Sequence, residues 1–290
     1  MKAAIGIIGG GGIENIDGLQ DKSWERVLSP WGLASDELLL GTIDGTRVAF
    51  LPRHERGYRH APSGINYRAN IDALKRLGVT DVISFSAVIS LRDDLQPGQF
   101  VIVDQFIDRT HNRPASFFGS GCVAHVSMAE PVCSRLGDAL ERAAAKIGMS
   151  VVRGGTYVAV EGPQSPTRAE CALYHSWGGT VVGMTNMPEA KLAREAEICY
   201  TTVAVVAAYN CRNQGTAAIS GEQMITLRPE GATLAGKLVR EVVPILNKRP
   251  VACPDGCDHA LEQAIVTEKA FRNPDLVAKL DAVAGRVLRK

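Results

Sequence analysis

The sequence predicts an α/β fold in a single domain, residues 1–290. Short apolar, β-branched runs alternate with helical patterns. Several of those runs end in glycines or small polar residues. No linker, internal repeat or low-complexity stretch divides the chain. At 290 residues, 46% of them hydrophobic, the chain can bury a large core. The net charge of +1, with no long charge run, argues against nucleic-acid or anionic-membrane partners. No apolar stretch is long enough to span a bilayer.

Residues 3–8 read as a buried first strand, and Gly9 to Gly12 free the backbone after it to point N–H groups at an anion. That cluster equally suits a plain tight turn and lacks the spacing of a dinucleotide or Walker loop. Residues 47–51 form the next strand, with Arg53 and His54 at its end. Pro62 to Leu77 is amphipathic and stops at Gly78. Residues 81–88 form a strand offering Ser86, and 99–104 another, followed by an apolar loop through Phe106 to Phe118 that suggests a subunit contact. Pro131 to Ile147 reads as helix and 150–161 as strand. Thr167 and Glu170 make a capping box ahead of a third helix. Residues 201–208 are an apolar strand. Helical patterns fill much of 221–290, broken at Pro229 and Pro244.

The chain is organised around residues 183–200. Thr180 to Val182 read as a buried strand, and Pro188 suits the first turn of a helix. Met184, Thr185 and Asn186 then lie at a strand end that opens a helix, where α/β proteins place ligands. On local pattern alone, Met184 and Met187 suit core filling better. Backbone amides, a guanidinium, an imidazole and two hydroxyls at four strand ends together describe an oxyanion site, most simply for phosphate. Seven cysteines, an odd number mostly in apolar segments, suggest a reducing cytoplasm, as does an N-terminus without signal-peptide layout. Cys253 to His259 has a superficial look of a metal knuckle. With no second Cys/His cluster nearby in sequence, a local disulfide or simple thiols are expected there, and no metal.

The segments 6–10, 53–54, 62–70, 104–110, 128–131, 161–163, 168–170 and 183–200 occur in an order and with residues that resemble the 5′-methylthioadenosine phosphorylases, within the trimeric purine nucleoside phosphorylases. The resemblance implies the nucleoside phosphorylase fold, a central mixed sheet flanked by helices. It implies phosphorolysis: phosphate attacks C1′ of a purine nucleoside through an oxocarbenium-like sugar, without a covalent enzyme intermediate. Inorganic phosphate is then a co-substrate and no cofactor is needed. By position, Arg53, His54 and Ser86 are the catalytic residues. Phosphate is held by Gly11, Arg53, His54, Ser86, Ala87 and Thr185, and the ribose lies on Met184. Ser165, Ala208 and Asn210 fall in the base region. His125, reaching across a subunit interface, joins Gly221 and Met224 at the 5′ pocket, which requires an oligomer: a homotrimer, or a hexamer as a dimer of trimers.

The departures from the family pattern fall on the site. Gly11 stands where a Ser or Thr hydroxyl usually meets phosphate, and Ile89 where a loop glycine is usual. Gln164-Ser165-Pro166 replaces Arg-Phe-Ser, removing an aromatic face. Residues 207–212 lack the two aspartates that read a 6-aminopurine, and Asn210 tilts toward a 6-oxopurine. Glu55 beside a phosphate site needs Arg56 or Arg59 as partner. Methylthioadenosine is the expected substrate. A 6-oxopurine phosphorylase, a nucleoside hydrolase and a low-turnover nucleoside-binding protein are the alternatives.

Overall fold

The computed structural model describes residues 4–10, 16, 18–208, 229–248 and 252–289. Its strands are β1 (Ile5–Gly9), β2 (Gln20–Glu25), β3 (Leu38–Ile43), β4 (Thr46–Pro52), β5 (Asp81–Ser90), β6 (Phe100–Val103), β7 (Gln105–Arg109), β8 (Val151–Arg153), β9 (Thr156–Val160), β10 (Gly179–Gly183) and β11 (Cys199–Ala208). The described helices are α1 (Tyr67–Arg76), α2 (Ser134–Lys146), α3 (Arg168–Ser176), α4 (Asn186–Glu195), α5 (Pro229–Leu246), α6 (Pro274–Lys279) and α7 (Gly285–Leu288).

All eleven strands among the described residues belong to one mixed sheet that forks at β5. One path runs β2-β3-β4-β1-β5-β10-β9-β7, and a branch leaves β5 through β11 to β6 and β8. The long β5 is parallel to β1 and β11 and antiparallel to β10, which meets only its last residues. Side chains alternate between the two faces, as the pleat requires. Ile8, Leu51 and Val82 join one core with Ile71 and Leu74 of α1 and Leu192 of α4. Ile7, Phe50 and Ile83 join the other with Leu136 and Leu140 of α2 and Leu238 and Val242 of α5. This is the α/β architecture expected.

Several boundaries differ from the sequence reading, each for a local reason. The helix expected from Pro62 starts at Tyr67, because Asn66 caps it by accepting from Ala69 N and Pro62–Gly64 forms a separate 3-10 turn. The strand expected over 150–161 is two strands. Gly154 (φ 84°) and Gly155 (φ 144°) break it in conformations that only glycine adopts readily. Residues 105–109, expected as loop, are β7, paired in parallel with β9. Leu38–Ile43 and Gln20–Glu25 add two antiparallel strands beside β4. Pro229 opens α5 rather than breaking it, and Pro244 lies inside that helix. Residues 252–289 are mostly turns with short helices, not the helical segment expected.

Candidate active site

Three parallel strands, β4, β1 and β5, deliver their C-terminal ends side by side. Arg53 N donates to Gly9 O at 2.9 Å, tying the first two ends together. The Arg53 side chain then turns inward and is 1% exposed. Nε donates to Glu189 Oε2 at 2.8 Å, Nη2 to Glu189 Oε1 at 3.2 Å and to Ser84 Oγ at 2.6 Å, and Nη1 to Phe85 O at 3.0 Å. Four of the five guanidinium protons are thus committed among the described residues, leaving one on Nη1. Burial works against the Arg53 charge, but the carboxylate of Glu189 and its hydrogen bonds outweigh it and hold the pKa above the ordinary range. Glu189 also accepts from Ser84 Oγ (2.6 Å) and Tyr200 OH (2.8 Å). The expected cation is therefore half of a neutral buried pair.

His54 is also buried, with Nδ1 2.8 Å from His60 O and Tyr58 stacked on its ring at 4.2 Å. A carbonyl only accepts, so Nδ1 carries the proton and Nε2 the lone pair. Burial, then the neighbouring Arg53, pushes the imidazole pKa down to about 4, which keeps the ring neutral near pH 7. Glu55 is answered by Arg59 (3.0 Å), as the sequence required, and by His60. Arg56 instead pairs with Asp36 and Glu37.

Antiparallel β10 brings the last group in. Ser86 Oγ lies 3.2 Å from Thr185 Oγ1 and 3.1 Å from Tyr157 OH, and Thr185 N donates to the same phenol at 3.3 Å. Gly183 makes room for that phenol: a Cβ there would stand 2.0 Å from Tyr157 OH. Thr185 follows β10 at the strand end that opens α4, as expected, and α4 becomes regularly helical at Pro188, since Met187 has extended φ/ψ. Met187 is core, whereas Met184 is partly exposed and packs on a cluster containing Ile89, Val182 and Ala208. Ala87, half-buried, follows Ser86 in β5. Ile89 is not in a loop. It is paired with both Val182 and Ala208, β5 continues through it, and its side chain is buried in the cluster against which Met184 packs.

Residues 4–244 match the Phosphorylase superfamily. The chain belongs to the Phosphorylase superfamily. It is 55% identical to the S-methyl-5′-thioadenosine phosphorylase of Cereibacter sphaeroides, over 100% of both chains. It is 54% identical to that of Rhodospirillum rubrum, over 98% of this chain and 97% of the relative. The crystal structure of a methylthioadenosine phosphorylase from an antarctic soil metagenomic library is similar with a TM-score of 0.89 at 40% identity, covering 97% of this chain and 99% of that one.

Of the residues that the phosphorylase resemblance pointed to, Gly11, Asn210, Gly221 and Met224 lie outside the described residues. Ser165 is exposed and lines a groove of about 340 Å³ with Gln164, Glu161, His111 and Tyr174. His125 is exposed on a loop held by its N–H to Ala264 O. Among the described residues, no hydrogen bond joins its ring to the groups above.

Four residues escaped the sequence reading. Glu189, Tyr157 and Tyr200 look like ordinary helix and strand residues, and their roles depend on contacts 11 to 136 positions away. Arg113 is the fourth. It is buried, and it donates to Met184 O (2.5 Å), Met187 O (2.7 Å) and Glu161 O (2.6 Å), fixing the ends of β10 and β9.

Proposed function

We propose that this phosphorylase cleaves S-methyl-5′-thioadenosine with inorganic phosphate, giving adenine and 5-methylthioribose 1-phosphate. The observation that carries this reading is the 55% identity over the full chain to a relative named for that activity. The geometry fits. Ser86 and Thr185 hydroxyls, freed to turn toward an anion, donate to phosphate oxygens, and Arg53 offers its remaining Nη1 proton. His54, neutral with its lone pair on Nε2, accepts a hydrogen bond from the P–OH that phosphate carries near pH 7, which turns an unprotonated oxygen toward C1′. Stabilisation of the oxocarbenium-like sugar comes from that phosphate and from the soft sulfur of Met184 against the ribose.

The finer assignments belong to the same proposal. Ser165, Ala208 and Asn210 face the base, with Ala208 supported by its place in one cluster with Met184. His125 reaches a neighbouring subunit's 5′ pocket beside Gly221 and Met224, which makes the working unit a trimer or a dimer of trimers. Residues 1–290 act as one domain, an assignment supported by the single sheet. No described helix is long and apolar enough to cross a membrane. A cytoplasmic setting suits the five free thiols among the described residues, although Cys171 is disulfide-bonded. The protein requires phosphate as co-substrate and no organic cofactor.

The test is incubation with methylthioadenosine, methylthioinosine, adenosine, inosine and guanosine, with and without phosphate, following free base by chromatography. Phosphate-dependent release of adenine from methylthioadenosine, faster than from the others, is expected. Release indifferent to phosphate, or preference for a 6-oxopurine, would overturn the reading.

A further inference from the structure

Cys133, Cys199 and the neighbouring pair Cys253 and Cys257 come from three distant parts of the chain, yet the four sulfurs all lie within 4.8 Å of one another and all four residues are buried. Their carriers are different elements. Cys133 is the N-cap residue of α2, Cys199 starts β11, and the other two flank the loop of residues 254–256. The expectation of no metal at Cys253 and Cys257 rested on the lack of further ligands nearby in sequence. Folding supplies two, and no local disulfide forms, because all four are free thiols.

We propose that these four cysteines bind one zinc ion as a tetrathiolate site. A tetrahedron with Zn–S of about 2.3 Å has sulfur–sulfur edges of about 3.8 Å. Cys133 Sγ and Cys253 Sγ are 3.7 Å apart. The spacing of three residues between Cys253 and Cys257 is in the range of zinc knuckles. The loop is shaped to present both sulfurs. Gly256 is left-handed (φ 68°) and its N–H closes a turn on Cys253 O, while Cys253 N donates to Asp258 at 3.0 Å. Zinc is the closed-shell ion that an all-sulfur tetrahedral set favours.

The surroundings suit the net charge of −2 that zinc and four thiolates carry. The N-terminus of the 13-residue α2 begins at Cys133. The Arg135 guanidinium lies against Cys199 and is also paired with Asp81, and Arg194 is near Cys257. Asp255, the acidic group beside Cys133, is held by Ser134 N at 2.7 Å and Ser134 Oγ at 2.8 Å. The site is at the start of β11, away from the substrate groups at the strand's other end. Its role is structural, clasping the turn-rich segment after residue 252 onto the sheet. Cys199 directly precedes Tyr200, whose hydroxyl supports Glu189.

The experiment is elemental analysis of the full-length protein, purified under reducing conditions without chelator or added metal. About one zinc per chain is expected, with a tetrathiolate Co(II) spectrum after cobalt replacement. In Cys257→Ser, and separately in Cys253→Ser, zinc content falls at least severalfold and the apparent Tm drops. Since the wild-type stoichiometry is itself decisive, misfolding of a variant does not blunt the test. Less than about a tenth of a zinc per chain, with all four thiols titratable after denaturation, would overturn the proposal. So would thiols that appear only after reduction, which means disulfides, or iron in place of zinc. Nucleoside cleavage enters none of these readouts, so this inference stands or falls apart from the activity.

Discussion

Glu189→Gln probes the foundation of the site with little change in shape. The wild-type carboxylate is 1% exposed and accepts four hydrogen bonds, two from Arg53 and one each from Ser84 and Tyr200. The amide removes the countercharge and points two donors at a shell made of donors. Arg53, itself 1% exposed, is left as an uncompensated buried cation. Losing one partner of such a pair costs about 3–5 kcal/mol. With a urea slope of about 3 kcal/mol/M, the unfolding midpoint should fall by about 1–1.7 M at one fixed protein concentration. Adding Arg53→Met removes the orphaned charge and should recover part of that loss, which a hydrogen-bond account alone does not predict. Asp94→Asn, which breaks an exposed pair with Arg92 screened by solvent, should leave the midpoint close to that of wild type. A Glu189→Gln midpoint within about 0.3 M of wild type would refute the view that this pair organises the site.

Arg53→Ala should raise the KM for phosphate far more than that for nucleoside, and an unchanged phosphate dependence would remove Arg53 from that role. Gly183→Ala drives a methyl into the Tyr157 phenol and should cost about 1–3 kcal/mol, with most of the activity lost; a variant with wild-type unfolding and turnover would contradict the packing. Burial lifts Glu195 from 4.5 to about 7, against the pull of Ser116 and Phe117 N–H. The folded state therefore binds this proton more tightly. Its stabilisation is complete below about pH 4.5 and is lost as pH rises through about 7, a total of about 3 kcal/mol. Urea midpoints compared between about pH 5 and 8 should fall less steeply in Glu195→Gln than in wild type, and parallel profiles would argue against it. Burial lowers His54 from 6.5 to about 4, which acts with the opposite sign: its stabilisation is complete above about pH 6.5 and is lost as pH falls through about 4. A His54→Gln variant should keep more of its stability than wild type on acidification from about pH 6.5 to 4.5, as read from urea midpoints.

The strands near the site were legible because they are buried on both faces and so read as continuous apolar runs: residues 47–51, 81–88 and 201–208 could hardly be anything else. The capping box at Thr167 and the helix after Pro188 were legible because their signals are local. Ser86 and Thr185 stood out as polar groups at strand ends, and the sheet brings them to 3.2 Å. Edge strand β2 was missed because all six of its residues are exposed and carry no apolar pattern. The path of β5 through Ile89 was misread because the continuation depends on β10 and β11 pairing with the same residue.

By itself, the sequence determined the α/β class, the strand ends that carry polar groups and the kinship with nucleoside phosphorylases. Those properties reside in periodicity and in short contiguous segments. Tertiary structure alone decided that Arg53 answers to Glu189, 136 residues away, and that His54 is neutral. It also brought Cys133 and Cys199 to the cysteines of the last forty residues. Burial, charge pairing and metal geometry depend on distance through space, and a chain's residue spacing fixes that distance only within one turn or one strand.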